Sequence, residues 1–87
     1  MKIEFDRKFK RQLKKISKKD KQLYKIFLRK LDLLKEKPDH KSLRLHKVSG
    51  KRISSWSVTI TYKVRVLFVL RKKSILLTDI GSHDEVY

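Results

Sequence analysis

The stretch SWSVTITYKVRVLFVL, residues 55–70, decides the fold of this 87-residue chain. Its first half alternates between apolar and hydroxyl side chains, which is the pattern of a strand with one buried and one polar face. Its second half, VRVLFVL, is rich in β-branched and apolar residues and holds one charged residue, Arg65, on the face that Val64, Val66 and Phe68 do not line. The stretch therefore predicts two strands, joined by a turn near Thr61–Lys63 that lacks Gly, Pro and Asn.

The flanking segments predict further strands of the same sheet. LRKKSI, residues 70–75, is typical of a tight turn, and SILLTDI, residues 74–80, continues it as a strand. SLRLHKV, residues 42–48, is a candidate strand upstream, and MKIEF at residues 1–5 is a short opening strand. Together these segments predict a small, twisted, mainly antiparallel sheet.

Residues 6–37 have the apolar spacing of two helices. Asp6 is suited to the N-cap of the first helix, and SKKD, with Ser17 followed three residues later by Asp20, resembles a capping box that restarts the helix. Pro38 ends the second helix. We expect an α+β fold in which this helical hairpin packs on one face of the sheet, as one domain over residues 1–87.

The charge balance limits the classes of partner. The chain has 25 Lys and Arg against 9 Asp and Glu, a net charge of +16, which favours nucleic acid first and an acidic protein second. It has no cysteine, so neither a disulfide framework nor a cysteine zinc site is available. No apolar stretch is long enough to span a membrane and no secretory leader is visible, so we expect a cytoplasmic protein without a membrane partner.

The motifs of metal and cofactor enzymes are missing from the sequence. Its three histidines, His40, His46 and His83, form neither HExxH nor a His-x-His pair, and its two glycines are too far apart for a phosphate loop. Ser82, His83 and Asp84 are adjacent, and adjacent side chains cannot point at one another as a catalytic triad requires. We therefore expect no metal and no cofactor.

The remaining polar residues suit phosphodiester chemistry on RNA, which carries its own nucleophile in the 2′-hydroxyl. His83 and Tyr87 lie four residues apart, one helical turn, in DIGSHDEVY. Histidine can take up or release a proton near neutral pH, and the planar fork of an arginine such as Arg65 can hold two phosphate oxygens. The set predicts an active site formed by the last residues of the sequence and completed by Arg65.

The sequence also resembles a known family. The helical hairpin, SLRLHKVSGK, SWSVTITYKVRVLFVL and LLTDIGSHDEVY are together similar to the RelE/ParE superfamily of bacterial type II toxins, and most similar to mRNA interferases of the RelE/StbE and YafQ kind. The resemblance covers essentially the whole chain. Its most specific parts are the tail pattern G-[ST]-H-x-x-x-[YF] and the strand pattern x-R-V-[IL]-[YF].

This resemblance implies a RelE-like fold and a toxin that cleaves mRNA, generally in the ribosomal A site, through attack of the 2′-hydroxyl. It also implies an acidic antitoxin that forms a hetero-oligomer with the toxin. Arg65 matches the arginine that contacts the scissile phosphate, and His83 matches the acid or base. Tyr87 matches the aromatic residue that stacks on a base or shares in proton transfer, and His46 matches a histidine of YafQ-like members.

The resemblance also suggests which residues bind RNA. RelE has lysines in the strand where this chain has SWSVT. The basic residues of this chain lie just before that strand, at Lys47, Lys51 and Arg52. Trp56, within the strand, falls near active-site positions of the family. The chain thus looks more like the branch that uses histidines, and the group that removes the 2′-proton stays open.

Alternatives remain at this stage. Arg65 has a structural alternative, a salt bridge to Asp79 across the last hairpin, and Trp56 suits the core of the sheet as well as a stacking surface. For the whole chain, the alternatives are a ParE-like inhibitor of DNA gyrase that cleaves nothing and a basic protein that only binds RNA.

Overall fold

A computed structural model describes residues 2–50 and 54–87. The first strand, β1, spans Lys2–Phe5, and two helices follow it, α1 over Arg7–Lys19 and α2 over Lys21–Glu36. The Asp6 carboxylate accepts a hydrogen bond of 2.8 Å from the backbone N–H of Phe9, which confirms Asp6 as the N-cap of α1.

The predicted restart at Ser17 is wrong by three residues. Asp20 ends α1 and caps α2, where its carboxylate accepts from the Leu23 N–H at 3.0 Å. The Ser17 hydroxyl instead donates to the Lys14 carbonyl inside α1. A carboxylate that faces free N–H groups at the start of α2 satisfies more of them than a hydroxyl inside a continuing helix can.

Beyond α2 the chain forms the rest of the sheet. The predicted strand at residues 42–48 is shorter than expected, because Lys41–Leu43 forms a 3-10 turn. The remaining elements are β2 (His46–Val48), β3 (Ser55–Thr59), β4 (Val64–Leu70), β5 (Ser74–Ser82) and a short helix α3 (His83–Val86). Hydrogen bonds close the predicted turns between β3 and β4 and between β4 and β5.

The five strands form one sheet in the order β1-β5-β4-β3-β2. All neighbouring pairs are antiparallel except β1 and β5, which are parallel. The expected α+β class and mainly antiparallel sheet are therefore confirmed. The helical hairpin carries the chain from β1 at one edge of the sheet to β2 at the other, and the antiparallel strands that follow bring β5 back beside β1, parallel to it.

The two faces of the sheet are covered differently. Phe9 and Phe27 of the helices pack with Val58 of β3 and Val66 of β4 in one buried cluster. On the opposite face α3 contacts β4 and β5, and Leu67 and Val86 are buried outside that cluster. This second covered face, which we call the outer face, carries the candidate site. None of the helices in the part of the chain that the structure describes is long and apolar enough to cross a membrane.

Candidate active site

A cleft of about 340 Å³ opens between the segment that contains β2 and the helix α3. It lies at the outer face, because His46 pairs with Ser57, whose side chain points away from the core residue Val58. The cleft combines three proton-transfer side chains and one lysine with small residues. Its lining consists of His46, Lys47, Val48, Ser49, Gly50, His83 and Tyr87.

His46 is held by the backbone of Arg44. Its Nδ1 lies 3.0 Å from the Arg44 carbonyl oxygen, and a carbonyl can only accept, so Nδ1 carries a proton and the neutral ring leaves Nε2 unprotonated. Arg44 adopts a φ of 46° and a ψ of 50°, the left-handed conformation that residues other than glycine rarely adopt. This strained residue turns the chain from the 3-10 turn into β2 and aims its carbonyl at the imidazole.

Tyr87 joins the sheet to the histidines. Its hydroxyl makes a short hydrogen bond with the Ser57 hydroxyl and lies 3.3 Å from Nε2 of His46. Ser57 is completely buried. A phenol has one proton, so when it donates to Ser57 it has none left to donate to Nε2 of His46.

His83 is exposed, with 69% of its side-chain surface accessible. Its ring packs edge-on against Tyr87 with the centroids 4.5 Å apart, while the rings of His46 and Tyr87 are 6.4 Å apart. The Nδ1 of His83 lies 3.4 Å from a carboxylate oxygen of Asp84. Tyr87 therefore stands between the two histidines, and both imidazoles border the same open space.

The turn that presents His83 is fixed by a capping box. The backbone N–H of Ser82 donates to the Glu85 carboxylate at 2.7 Å, and the N–H of Glu85 donates to the Ser82 hydroxyl at 3.3 Å. The backbone N–H of Ser82 lowers the pKa of Glu85 below its ordinary value, and the side-chain hydrogen bond with Ser82 lowers it further. Gly81 leaves room for this carboxylate, because a Cβ there would lie 3.0 Å from Oε1 of Glu85.

Arg65 is not part of this cleft. It pairs with Thr59, two residues along β4 from Leu67, and its Nη1 donates to the Thr59 hydroxyl at 2.6 Å. Its side chain lines a neighbouring cleft near the turn between β3 and β4. The alternative of a salt bridge to Asp79 is wrong, since that carboxylate binds Lys8 of α1 at 2.6 Å.

The predicted RNA-binding residues fall into three groups. Lys47 lines the histidine cleft. Trp56 pairs with Phe68 on the helix-covered face and lines an apolar groove there, a position that favours its role in the core over stacking on RNA. Lys51 and Arg52 lie outside the described residues.

Two residues of the site were not predicted from the sequence. Ser57 lies on the hydroxyl-bearing face of β3. The alternation of that strand indicates a polar face, on which a serine can form a hydrogen bond such as the one to Tyr87. Arg44 acts through its backbone carbonyl and its left-handed conformation, and the type of a side chain does not predict such a backbone role. In residues 2–50 and 54–87, no three His, Asp or Glu side chains are grouped so that they could hold a metal ion.

Helices packed on a mixed five-stranded sheet are the fold of RelE-like toxins, and the comparisons place the chain in the RelE/ParE superfamily. The family model described as a bacterial toxin of type II toxin-antitoxin system, YafQ, matches residues 1–87. The chain therefore belongs to the YafQ family of type II toxins.

Solved structures share the fold at low sequence identity. A metal-bound toxin from Helicobacter pylori has a TM-score of 0.83 at 22% identity, with 100% of this chain and 99% of that chain covered. A YafQ mutant from E. coli has a TM-score of 0.83 at 15% identity, with 98% and 96% covered. The archaeal RelE-RelB complex from Pyrococcus horikoshii has a TM-score of 0.72 at 16% identity, with 93% and 92% covered. Among curated proteins, none is detectably similar to this sequence.

Proposed function

We propose that this toxin is an endoribonuclease that cleaves mRNA, in the ribosomal A site, and thereby stops translation. The observation that carries the proposal is the convergence of His46, His83 and Tyr87 at one open cleft of a chain with a net charge of +16. Two imidazoles at one cleft supply both proton transfers that RNA cleavage requires. The basic surface attracts the polyanion.

In the proposed reaction the 2′-hydroxyl attacks the adjacent phosphorus. Its proton passes to a base, the bond from phosphorus to the 5′-oxygen breaks, and that oxygen receives a proton from an acid, which leaves a cyclic phosphate and a 5′-hydroxyl end. His46 is the proposed base, because its bond to the Arg44 carbonyl leaves Nε2 unprotonated. His83 is then the acid. Lys47, in the same cleft, offsets the charge that develops on the phosphate.

Tyr87 has a positioning role in this scheme. Its hydroxyl is anchored on buried Ser57, and its ring lies edge-on to His83. The ring is also available to stack on an RNA base beside the scissile bond. Because both histidines lie next to one fixed aromatic ring, less entropy is lost when base and acid are placed on opposite sides of the phosphate.

The test compares three proteins in a translating extract by mapping new 5′ ends on mRNA. Wild-type protein is expected to cut at codon-spaced positions, and His83→Ala to cut at least about 100-fold more slowly. Gln22→Ala is the control, because Gln22 is an exposed, uncharged side chain on α2 that lines neither the histidine cleft nor the cleft near Arg65. Equal cutting by His83→Ala and wild type would remove His83 from the mechanism. Intact mRNA with all three would leave inhibition of gyrase as the next activity to assay.

We propose further that the chain is held inactive by an acidic antitoxin protein in a hetero-oligomer. The net charge of +16 and the family both support such a partner, and one structural neighbour is a complex of RelE with RelB. Ordering of a disordered acidic segment on the basic surface would mask the cleft. Purification after expression from the native operon is expected to yield a small acidic protein together with the toxin. A toxin that purifies alone contradicts this proposal.

A further inference from the structure

A second basic cleft, of about 300 Å³, lies beside the histidine cleft at the end of the sheet that holds the turn between β3 and β4. Three basic residues from separate parts of the chain border it, together with three serine and threonine residues and a tyrosine. The lining is Lys30, Ser42, Arg44, Thr59, Ile60, Thr61, Tyr62 and Arg65. Cations and hydroxyl groups together are the usual ligands of a phosphate group in proteins.

The positive charge of this cleft is uncompensated. In the part of the chain that the structure describes, the carboxylates that form salt bridges do so with Lys2, Lys8, Arg71 and His83, and none binds Lys30, Arg44 or Arg65. The Arg65 guanidinium is held by its bond to the Thr59 hydroxyl, which uses one of its five N–H donors. A held guanidinium with free donors loses little conformational entropy when it binds an anion.

The second cleft is close enough to the first for one RNA strand to cross both. Ser57 lies beside His46 and opposite Leu67, and Arg65 is two residues from Leu67 on β4. This diagonal places the Cα atoms of Ser57 and Arg65 about 7–8 Å apart. Arg44 links the clefts directly, since its carbonyl binds His46 and the residue also lines the second cleft.

An aromatic side chain completes the arrangement. Tyr62, in the turn between β3 and β4, is 83% exposed, which leaves its ring open to a partner. The ammonium of Lys63 lies 5.6 Å from the ring centroid. An exposed ring beside a phosphate-binding group is the usual arrangement for a nucleotide of a single strand, because every base has a face that can stack.

We propose that this second cleft binds the nucleotide next to the cleavage site: Lys30, Arg44 and Arg65 hold a non-scissile phosphate, and Tyr62 stacks on the base. This inference rests on the proposed ribonuclease function. In it, Arg65 binds a phosphate other than the one at which the RNA is cleaved. The cleft thus fixes the register of the strand, so that the 2′-hydroxyl of the preceding nucleotide faces His46.

The test measures binding of a short RNA that carries a 2′-O-methyl group at every position and cannot be cleaved. Fluorescence anisotropy over a range of salt gives the slope of log K against log salt. Lys30→Gln and Arg44→Gln are each expected to make the slope shallower by about 0.7, the value for one lost phosphate contact on a single strand. Lys72→Gln, the same loss of charge in the turn between β4 and β5, is the control and leaves the slope unchanged. Slopes in Lys30→Gln and Arg44→Gln equal to that of Lys72→Gln overturn the proposal.

Two further measurements separate the possible ligands. Tyr62→Ala is expected to weaken RNA binding at least about fivefold, while Tyr62→Phe, which keeps the ring, binds as the wild type does. A polyglutamate peptide is the second probe, and if Lys30→Gln weakens that peptide but not RNA, the cleft serves an acidic protein and the proposal fails. Because the RNA probe cannot be cut, a wild-type protein without nuclease activity overturns the proposed function separately from this inference.

Discussion

The hydroxyl of Tyr87 offers the most direct test of how the site is held together. Tyr87→Phe removes one oxygen atom and leaves the ring that contacts His83. That oxygen bonds the completely buried Ser57 hydroxyl and approaches Nε2 of His46. A hydrogen bond of this kind contributes about 1 kcal/mol to stability, and a buried hydroxyl that loses its partner costs about 1–3 kcal/mol. We therefore expect a loss of about 1–2 kcal/mol.

For a domain of this size, each 1 kcal/mol lowers the melting temperature by about 4–8 °C. The assay is thermal unfolding of the wild type, Tyr87→Phe, Ser57→Ala and the double variant. Removal of both hydroxyls leaves neither of them buried without its partner. The double variant is therefore expected to lose less stability than the sum of the two single losses, by at least about 0.5 kcal/mol. Strictly additive losses, or an unchanged melting temperature in Tyr87→Phe, would refute the contribution of this hydrogen bond to the stability of the domain.

Three other predictions concern the elements that support the site. Gly81→Ala places a Cβ 3.0 Å from Oε1 of Glu85, so we expect kcat/KM for RNA cleavage to fall roughly tenfold; an unchanged value contradicts this packing. The folded-state pKa of Glu85 is lowered by Ser82, so the stability that this group contributes is present above its unfolded-state value of 4.5 and is lost as pH falls through the lowered value. NMR titration of the Glu85 carboxyl is expected to give a midpoint below 4.5, and a midpoint above it contradicts the capping box. Asp20→Ala is expected to cost about 1 kcal/mol in thermal unfolding and Ser17→Ala less than about 0.5 kcal/mol, and the reverse order would restore the restart at Ser17.

Most of the fold follows from patterns that act locally. The alternation in residues 55–59 and the apolar run in residues 64–70 predicted β3 and β4, because the period of side chains on a strand does not depend on its neighbours. Asp6 was recognisable as a cap because a helix cap also depends only on residues close in sequence, here the N–H of Phe9. The parallel pairing of β1 with β5 was not predicted, since it depends on where the helical hairpin returns the chain and not on either strand alone.

The candidate site was only partly predictable. The sequence indicated His46, His83 and Tyr87 by their chemistry, and the structure brings these three together. Arg65 was expected to complete the same site, yet the register of β4 places it beside Thr59 and in the next cleft. A shift of two residues along a strand moves a side chain by about 7 Å on the same face, and residue identity cannot reveal such a shift.

The short helix α3 explains why this site depends on the sheet. A helix of four residues is not stable alone, because nucleation fixes several residues for one hydrogen bond. Its position is held by the capping box at Ser82, by burial of Val86 and by the bond from Tyr87 to Ser57. Each of these contacts is small beside the main core, which the helical hairpin and sheet form without α3. Changes at α3 should therefore reduce activity well before they unfold the domain.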